Sequence, residues 1–341
     1  MPDRSPADWL NELQKSQYLG LTTDSYNTGE AVQLLEERVA ELLNKPRALF
    51  FPKGMTAQYV ALKVVEHKSG NSHFALHPLS HIAWDESAAH KYVLKLQAHF
   101  VGNNRLPFKA HDLHQIESEI ASVVVELPLR RAGFRLLTWQ DLKELSHYCR
   151  DNNIHCHMDG ARLWESTDYY QKSEAEIAEL FNSVYVSFYK GLSGLGGAVL
   201  AGDDDFIEEC KVWRSRFAGD HFTSFPQVIT ALDGLDNKHK HIPELVTRAK
   251  EIAEQLANID GLDVQEPHTN GFLVFLSGDV EKLNVQAEEL NDSMGLKLFR
   301  AVDYYPNSKD AMVELQIGHE HKQISTDEIV SYFESLVSVE G

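Results

Sequence analysis

Cysteine, long apolar runs and basic residues are all scarce in this sequence of 341 residues, and each scarcity argues against a class of protein. Three cysteines leave at least one thiol unpaired, which disfavours a disulfide-stabilised secreted domain and favours a reducing, cytoplasmic compartment. No apolar stretch approaches the roughly 18 residues of a membrane-spanning helix, and the N-terminus lacks a signal-peptide pattern. Neither export nor a membrane span is therefore expected.

The charge balance disfavours two kinds of partner. The formal net charge is -19 at pH 7, because 51 acidic residues outnumber 32 lysines and arginines. Nucleic acids and anionic membranes are bound by clustered basic residues, so neither is an expected partner. The composition, 43% hydrophobic and 24% charged, is that of a globular protein with a substantial core. A small-molecule substrate is favoured.

Helical and strand patterns alternate along the first two thirds of the chain. Nearly continuous apolar runs typical of buried strands are RALFFP, ASVVVEL, IHCHM and SVYVSFY, and amphipathic segments such as TWQDLKELSHYCRDNN lie between them. This alternation predicts an α/β fold with a mostly parallel sheet covered on both faces. The later pattern of helix, strand, helix, strand and helix predicts a smaller α+β unit. The expected division is an N-terminal helical arm (1–20), a large domain (21–236) and a small C-terminal domain (237–341).

The stretch HMDGARLWES follows one predicted strand and places Asp159, Gly160 and Arg162 close together. In open α/β sheets, ligands bind beyond the carboxyl ends of the strands. An aspartate in this position often only caps the next turn. Here the glycine allows close backbone approach, and the arginine can bind a carboxylate with two hydrogen bonds.

The stretch SFYKGLSGLGGAVLAG places Lys190 after another predicted strand and before a glycine-rich loop. Its lysine precedes the glycines, and no strand leads from them directly into a helix, so neither a P-loop nor a dinucleotide-binding motif is indicated. A shielded lysine among small residues suits an amine that forms a Schiff base. A surface lysine before a turn is the alternative.

The histidines give two possible metal-binding patterns. Those at four-residue intervals within 73–81 could share a helical face, but Pro78 and the strand-like HFAL argue against a helix. His155, His157 and Asp159 share one strand face but span about 13 Å, too far to hold one ion together. No metal site is predicted.

Together, HMDGARLWES and SVYVSFYKGLSGLGGAVLAG resemble the motifs of the threonine aldolase and aromatic β-eliminating lyase family of fold-type I pyridoxal phosphate enzymes. The similarity extends over residues 20–235 and includes HPLSHIAWDE. The resemblance implies an aspartate aminotransferase-like fold, with a mostly parallel seven-stranded sheet flanked by helices and a small α+β C-terminal domain. It also implies pyridoxal 5'-phosphate as cofactor and retro-aldol cleavage of a β-hydroxy-α-amino acid to glycine and an aldehyde.

The resemblance implies roles for particular residues. Lys190 would hold the cofactor as an aldimine and shuttle a proton, Asp159 would keep the pyridine nitrogen protonated, and His81 would stack on the ring. Arg162 would bind the substrate carboxylate. Tyr26 would lie near the cofactor of a neighbouring subunit, which implies a homodimer or homotetramer. The phosphate would be held by Gly54, Met55, Thr56 and Ser187.

The sequence departs from the family where the substrate binds. Glu126 is retained, but Leu129 and Arg130 stand near the place of the family histidine that contacts the β-hydroxyl. Glu314 lies close to the place of a second carboxylate-binding arginine, and RFAGDHFTSF replaces a segment with a basic pair. Arg130 is therefore a candidate for binding a polar or acidic substrate side chain. β-Elimination, racemisation, or cofactor binding with little turnover remain alternatives.

Overall fold

The strands and helices follow the predicted alternation in a computed structural model that describes residues 4–103 and 105–338. The strands are β1 (Arg47–Phe51), β2 (His73–Leu76), β3 (Gln97–Phe100), β4 (Ser122–Glu126), β5 (His155–Gly160), β6 (Ser183–Ser187), β7 (Ala198–Gly202), β8 (Leu262–Val264), β9 (Gly271–Leu276), β10 (Val302–Tyr304) and β11 (Ala311–Gln316). The α-helices are α1 (Pro6–Leu13), α2 (Glu30–Leu42), α3 (Gly54–Ser69), α4 (His81–Trp84), α5 (Ala89–Tyr92), α6 (Trp139–Asp151), α7 (Thr167–Tyr170), α8 (Glu174–Ala178), α9 (Asp204–Arg216), α10 (Phe225–Asn237), α11 (Ile242–Leu256), α12 (Val280–Met294) and α13 (Thr326–Val337). Short 3₁₀-helices lie at Gln17–Gly20, Ala110–Gln115, Arg130–Ala132, Leu163–Glu165, His239–His241 and His319–Gln323.

The large sheet has seven strands in the order β1-β7-β6-β5-β4-β2-β3. Strand β7 is antiparallel to both of its neighbours, and the other six strands run in one direction. Strands covered by helices on both faces are apolar along their whole length, and β4, β6 and β7 are buried almost throughout. The predicted mostly parallel, seven-stranded sheet is confirmed.

A second sheet of four antiparallel strands, in the order β10-β11-β9-β8, lies in the C-terminal third of the chain. Its apolar side chains form a cluster with α11, α12 and α13, separate from the main core of the large sheet. Helix α11 contributes Ile242 and Val246 to the main core and Ile252 to the second one. The division at 236/237 stays a prediction, and residues 1–3 and 339–341 of its outer segments lie outside the described residues.

Helix boundaries follow the capping residues. Ser5, before Pro6, accepts a hydrogen bond from the Asp8 amide and starts the predicted N-terminal helix. Thr138 caps α6 in the same way through the Asp141 amide. These local signals explain why the helices begin where the sequence predicts.

The position of Asp159 and the state of the cysteines add to the predictions. Asp159, expected just past a strand, lies inside β5, because pairing with β6 continues as far as Gly160 opposite Val186. All three cysteines are free and buried. Among residues 4–103 and 105–338, no helix is both long enough and apolar enough to cross a membrane.

Candidate active site

Acidic side chains meet at the carboxyl edge of the large sheet. In the parallel register, Glu126 at the end of β4 lies beside Asp159 of β5, and Asp159 lies beside Tyr185 of β6. Strand β6 ends at Ser187, so the chain reaches Lys190 just beyond the same edge. The sheet therefore brings together residues far apart in the sequence, as expected for parallel strands.

Asp159 is almost fully buried and accepts a hydrogen bond from the Ala161 amide at 3.2 Å. Burial raises the pKa of its carboxyl, while the charges of Lys190, His81 and Arg162 oppose that rise. A buried carboxylate is stable only near positive charge. Asp159 is thus placed to hold a cation at the centre of the sheet edge.

The Lys190 side chain is partly buried at the same edge. Burial and, to a smaller extent, the charge of Arg162 lower its pKa to about 8, although Asp159, Glu126 and Glu165 act in the opposite direction. A substantial fraction of this amine is neutral at mildly alkaline pH, whereas an ordinary lysine stays charged. Lys190 therefore has the ionisation expected of a nucleophilic amine.

Helix α3 begins at the same edge and offers an anion-binding site. Its first turn contains Gly54, Met55 and Thr56 and no acidic residue. A Cβ on Gly54 would lie 2.1 Å from the Tyr185 Oη, so only glycine lets the helix start this close to β6. Backbone amides at the start of a helix bind phosphate and similar anions. A phosphate here would lie near Asp159.

His81 is the first residue of α4 and is positioned by its backbone. Its amide donates a hydrogen bond of 2.7 Å to Glu126, which also accepts one from the Arg130 amide. The ring is about one-third exposed, and its Nδ1 lies 3.5 Å from Glu86. Glu126 thus ties the His81 helix and the Arg130 segment to the end of β4, a positioning role that the sequence motifs did not indicate.

Arg162 is a partly buried arginine whose Nε is buried and unpaired. Its guanidinium lies over the Phe134 ring, 5.3 Å from the centroid, and its Nε has no hydrogen-bond partner among the described residues. Burial lowers the pKa of Arg162, and Arg130 lowers it further. Such a group is suited to bind a carboxylate from a ligand.

Arg130 is paired rather than solvated. Its Nε lies 3.0 Å from each oxygen of Glu314 on β11, and the pair is about one-third exposed. The neighbouring Arg131 instead pairs with Asp85. Arg130 and Glu314 are two of the positions at which the sequence departs from the family that it resembles, and the structure shows that they contact each other.

Two predicted cofactor-binding residues, Ser187 and Tyr26, have other contacts in the structure. The Ser187 hydroxyl donates to the Ala161 carbonyl at 2.8 Å, so its proton is already used by the protein. Tyr26 is 59% exposed, with its ring edge-on to Phe222 at 5.7 Å. Within the described part of the chain, no group of three or more histidine, cysteine, aspartate or glutamate side chains could hold a metal ion.

Comparison with known proteins gives consistent results. A family model described as beta-eliminating lyase matches residues 13–279. A low specificity L-threonine aldolase of Escherichia coli (strain K12) is 26% identical over 261 residues, which cover 74% of this chain and 76% of that protein.

Two solved structures are similar over nearly the whole chain. A protein of Listeria monocytogenes EGD-E assigned to the L-allo-threonine aldolases is 30% identical, with a TM-score of 0.92, covering 98% of this chain and 94% of that one. A protein of Exiguobacterium sp. 255-15 assigned to the aromatic amino acid beta-eliminating lyases and threonine aldolases is 28% identical, with a TM-score of 0.90 and the same coverage.

Proposed function

The chain belongs to the beta-eliminating lyase family and is a pyridoxal-phosphate-dependent, threonine-aldolase-like lyase with the type I fold, and from this we propose that it cleaves the Cα–Cβ bond of a β-hydroxy-α-amino acid to give glycine and an aldehyde. The observation that carries the proposal is the partly buried Lys190 amine, with a pKa of about 8, at the same sheet edge as the buried Asp159 carboxylate, which acts on its ionisation. Pyridoxal phosphate requires a neutral amine that attacks its aldehyde and a carboxylate that keeps its ring nitrogen protonated.

The described residues fit pyridoxal phosphate. The start of α3 has no side-chain cap, so the amides of Gly54 and Met55 are available for the phosphate, whereas the Thr56 amide donates to the Lys53 carbonyl. Asp159 offers a buried carboxylate for the ring nitrogen. Ser80, next to His81, is buried, and its hydroxyl has no hydrogen-bond partner among the described residues. A bound ligand would supply the missing partner. When bound, the cofactor supplies an aldehyde that captures amines and a ring that withdraws electrons from the substrate.

The protein's own groups would do the remaining work. Lys190 would capture the aldehyde and later move a proton at the substrate Cα, and the partly exposed His81 ring would cover the cofactor face. Ser187 would reach the phosphate only by giving up its bond to the Ala161 carbonyl. The phosphate would otherwise be held by Gly54, Met55 and Thr56.

Two arginines would determine which substrate binds. Arg162, whose buried Nε has no partner among the described residues, would bind the α-carboxylate. Arg130 would use its terminal nitrogens to bind a polar or acidic group on the substrate side chain, while Glu314 holds its Nε. This proposal explains why both substitutions occur together: the carboxylate at position 314 orients the arginine at position 130.

A substrate panel tests the function. Purified protein loaded with pyridoxal phosphate should release glycine from L-threonine, L-allo-threonine or β-hydroxyaspartate, and the acidic substrate should react best. Pyruvate from serine would instead indicate β-elimination, and inversion of a single amino acid would indicate racemisation. No product from any member of the panel would contradict the enzyme proposal and leave a cofactor-binding protein.

Replacing Arg130 with alanine should raise KM for an acidic substrate by about 10- to 100-fold, because a charge-assisted hydrogen bond contributes about 1.5–3 kcal/mol. Threonine, whose side chain has no carboxylate, should be affected much less. Arg131→Ala is the matched control, since Arg131 pairs with Asp85 instead. Wild-type kinetics on both substrates in the Arg130 variant would contradict this role.

We also propose a cytoplasmic homodimer or homotetramer. The free, buried cysteines support a reducing compartment. The exposed rings of Tyr26 and Phe222 pack together on the surface, where a neighbouring subunit would cover them. Tyr26 would then approach the cofactor of that subunit.

A further inference from the structure

Glu165 is a buried carboxylate next to the site to which the proposed function gives no role. It ends the 3₁₀-helix Leu163–Glu165, three residues after Arg162, and has 0% exposure. Neither of its oxygens has a hydrogen-bond partner of normal geometry among the described residues. A buried carboxylate without well-formed hydrogen bonds is costly to a fold and calls for an explanation.

The carboxylate of Glu165 packs against the backbone next to Lys190. A Cβ on Gly191 would lie 2.3 Å from the Glu165 Oε1 and 2.8 Å from its Cδ. Gly191 directly follows Lys190 in the chain. The absence of a side chain at Gly191 therefore lets the carboxylate contact the segment that carries the reactive amine.

The charged groups that face Glu165 are the two cations of the site. Burial raises the pKa of the Glu165 carboxyl, while Arg162 and Lys190 oppose that rise, together with the amides of Glu165 and Gly191. Lys190 in turn faces Arg162, Asp159, Glu126 and Glu165. Asp159 and Glu126 have places at the sheet edge, so Glu165 is the remaining anion near both cations.

The local backbone does not need the Glu165 side chain to keep its shape. The Trp164 indole donates to the Ser187 carbonyl at 3.0 Å, and the Ser166 hydroxyl donates to the Arg162 carbonyl at 3.1 Å. The first bond holds the segment to β6, and the second closes the turn between Arg162 and Ser166 without using the Glu165 side chain. A carboxylate kept for structure alone would be paired in the same way.

We propose that Glu165 is a positioning residue for the reaction: its carboxylate holds the Lys190–Gly191 segment in place and supplies the negative charge that allows the Lys190 amine and Arg162 to lie near each other. It touches neither cofactor nor substrate and acts through these two residues. The inference rests on the proposed roles of Lys190 and Arg162.

The test is a pH titration of the visible absorption of the full chain loaded with pyridoxal phosphate. Glu165→Gln keeps the shape and removes the charge, so the protonated form at Lys190 loses stabilisation and the titration midpoint should fall by about one pH unit. Glu165→Asp keeps a carboxylate, so its titration midpoint should lie between those of Glu165→Gln and the wild type. Glu174→Gln is the matched control, since Glu174 is a largely buried carboxylate that accepts from His239 and does not face Lys190. An unchanged midpoint in Glu165→Gln would overturn the proposal.

A double-variant comparison decides the matter if Glu165→Gln does not fold. Gly191→Ala should displace the Glu165 carboxylate and weaken retention of the cofactor, and adding Glu165→Ala should recover part of that loss by making room for the new methyl group. Independent, additive effects would contradict the contact. A wild-type protein that never gains a visible band would instead refute the proposed function, so the two failures can be told apart.

Discussion

Lys190→Ala is expected to lower kcat on the order of 10³-fold or more, because the variant loses both the amine that captures the cofactor aldehyde and the group that moves the proton at Cα. The wild-type amine is prepared for both tasks by burial, which lowers its pKa to about 8. The measurement is steady-state release of glycine from the best substrate of the panel. Lys172→Ala, at a lysine that pairs with Glu176 on the surface, should be close to wild type.

Two further measurements separate loss of the amine from a general loss of structure. A small primary amine added to the Lys190→Ala protein should restore part of the activity, since it replaces the missing functional group. In the wild type, the rate at which the cofactor-free protein captures pyridoxal phosphate should rise with pH through about 8, as the Lys190 amine loses its proton. More than a tenth of wild-type activity in Lys190→Ala would contradict the assignment.

Asp159→Asn is expected to lower kcat on the order of 10²-fold, because removal of one preorganised electrostatic partner at a reacting centre has this effect. Asparagine preserves the size of the side chain and can still accept a bond from the Ala161 amide. It cannot hold a proton on the cofactor ring by its charge. Asp159→Glu retains the charge and should keep more activity than Asp159→Asn.

The pH dependence has a definite sign for Asp159. Burial raises the pKa of its carboxyl above the ordinary value, so on acidification the charge is lost at a higher pH than for an exposed aspartate. The wild-type rate should therefore decline on the acid side earlier than it would with an ordinary aspartate. Equal kcat in wild type and Asp159→Asn across the pH range would contradict the role of the charge.

Local patterns explain what could be predicted from the sequence. Helix α12 (Val280–Met294) is one of the helices of the predicted C-terminal α+β unit, and its start agrees with a local signal, the cap by Asp279. Strands β4 and β6 were visible as apolar runs, since strands covered on both faces have almost no polar positions. Once these strands were placed in one parallel sheet, the meeting of Asp159 and Lys190 at its carboxyl edge followed.

Contacts between distant segments could not be predicted in this way. Arg130 and Glu314 are 184 positions apart, and each looked like a departure from the family until the structure showed them paired. The contact of Glu165 with Gly191 likewise depends on how a 3₁₀-helix packs against a loop. Periodicity reports which face of an element is buried, but it does not report which side chain lies opposite.

The measurement that tests the central claim most directly is the absorption spectrum of the purified full chain, recorded before and after addition of pyridoxal phosphate, beside that of Lys190→Ala. A visible band that forms in the wild type, is absent from the variant, and changes when a β-hydroxy-α-amino acid is added would support Lys190 as the cofactor-binding residue. A wild-type protein that stays colourless after reconstitution, or a variant with the same band, would contradict the account.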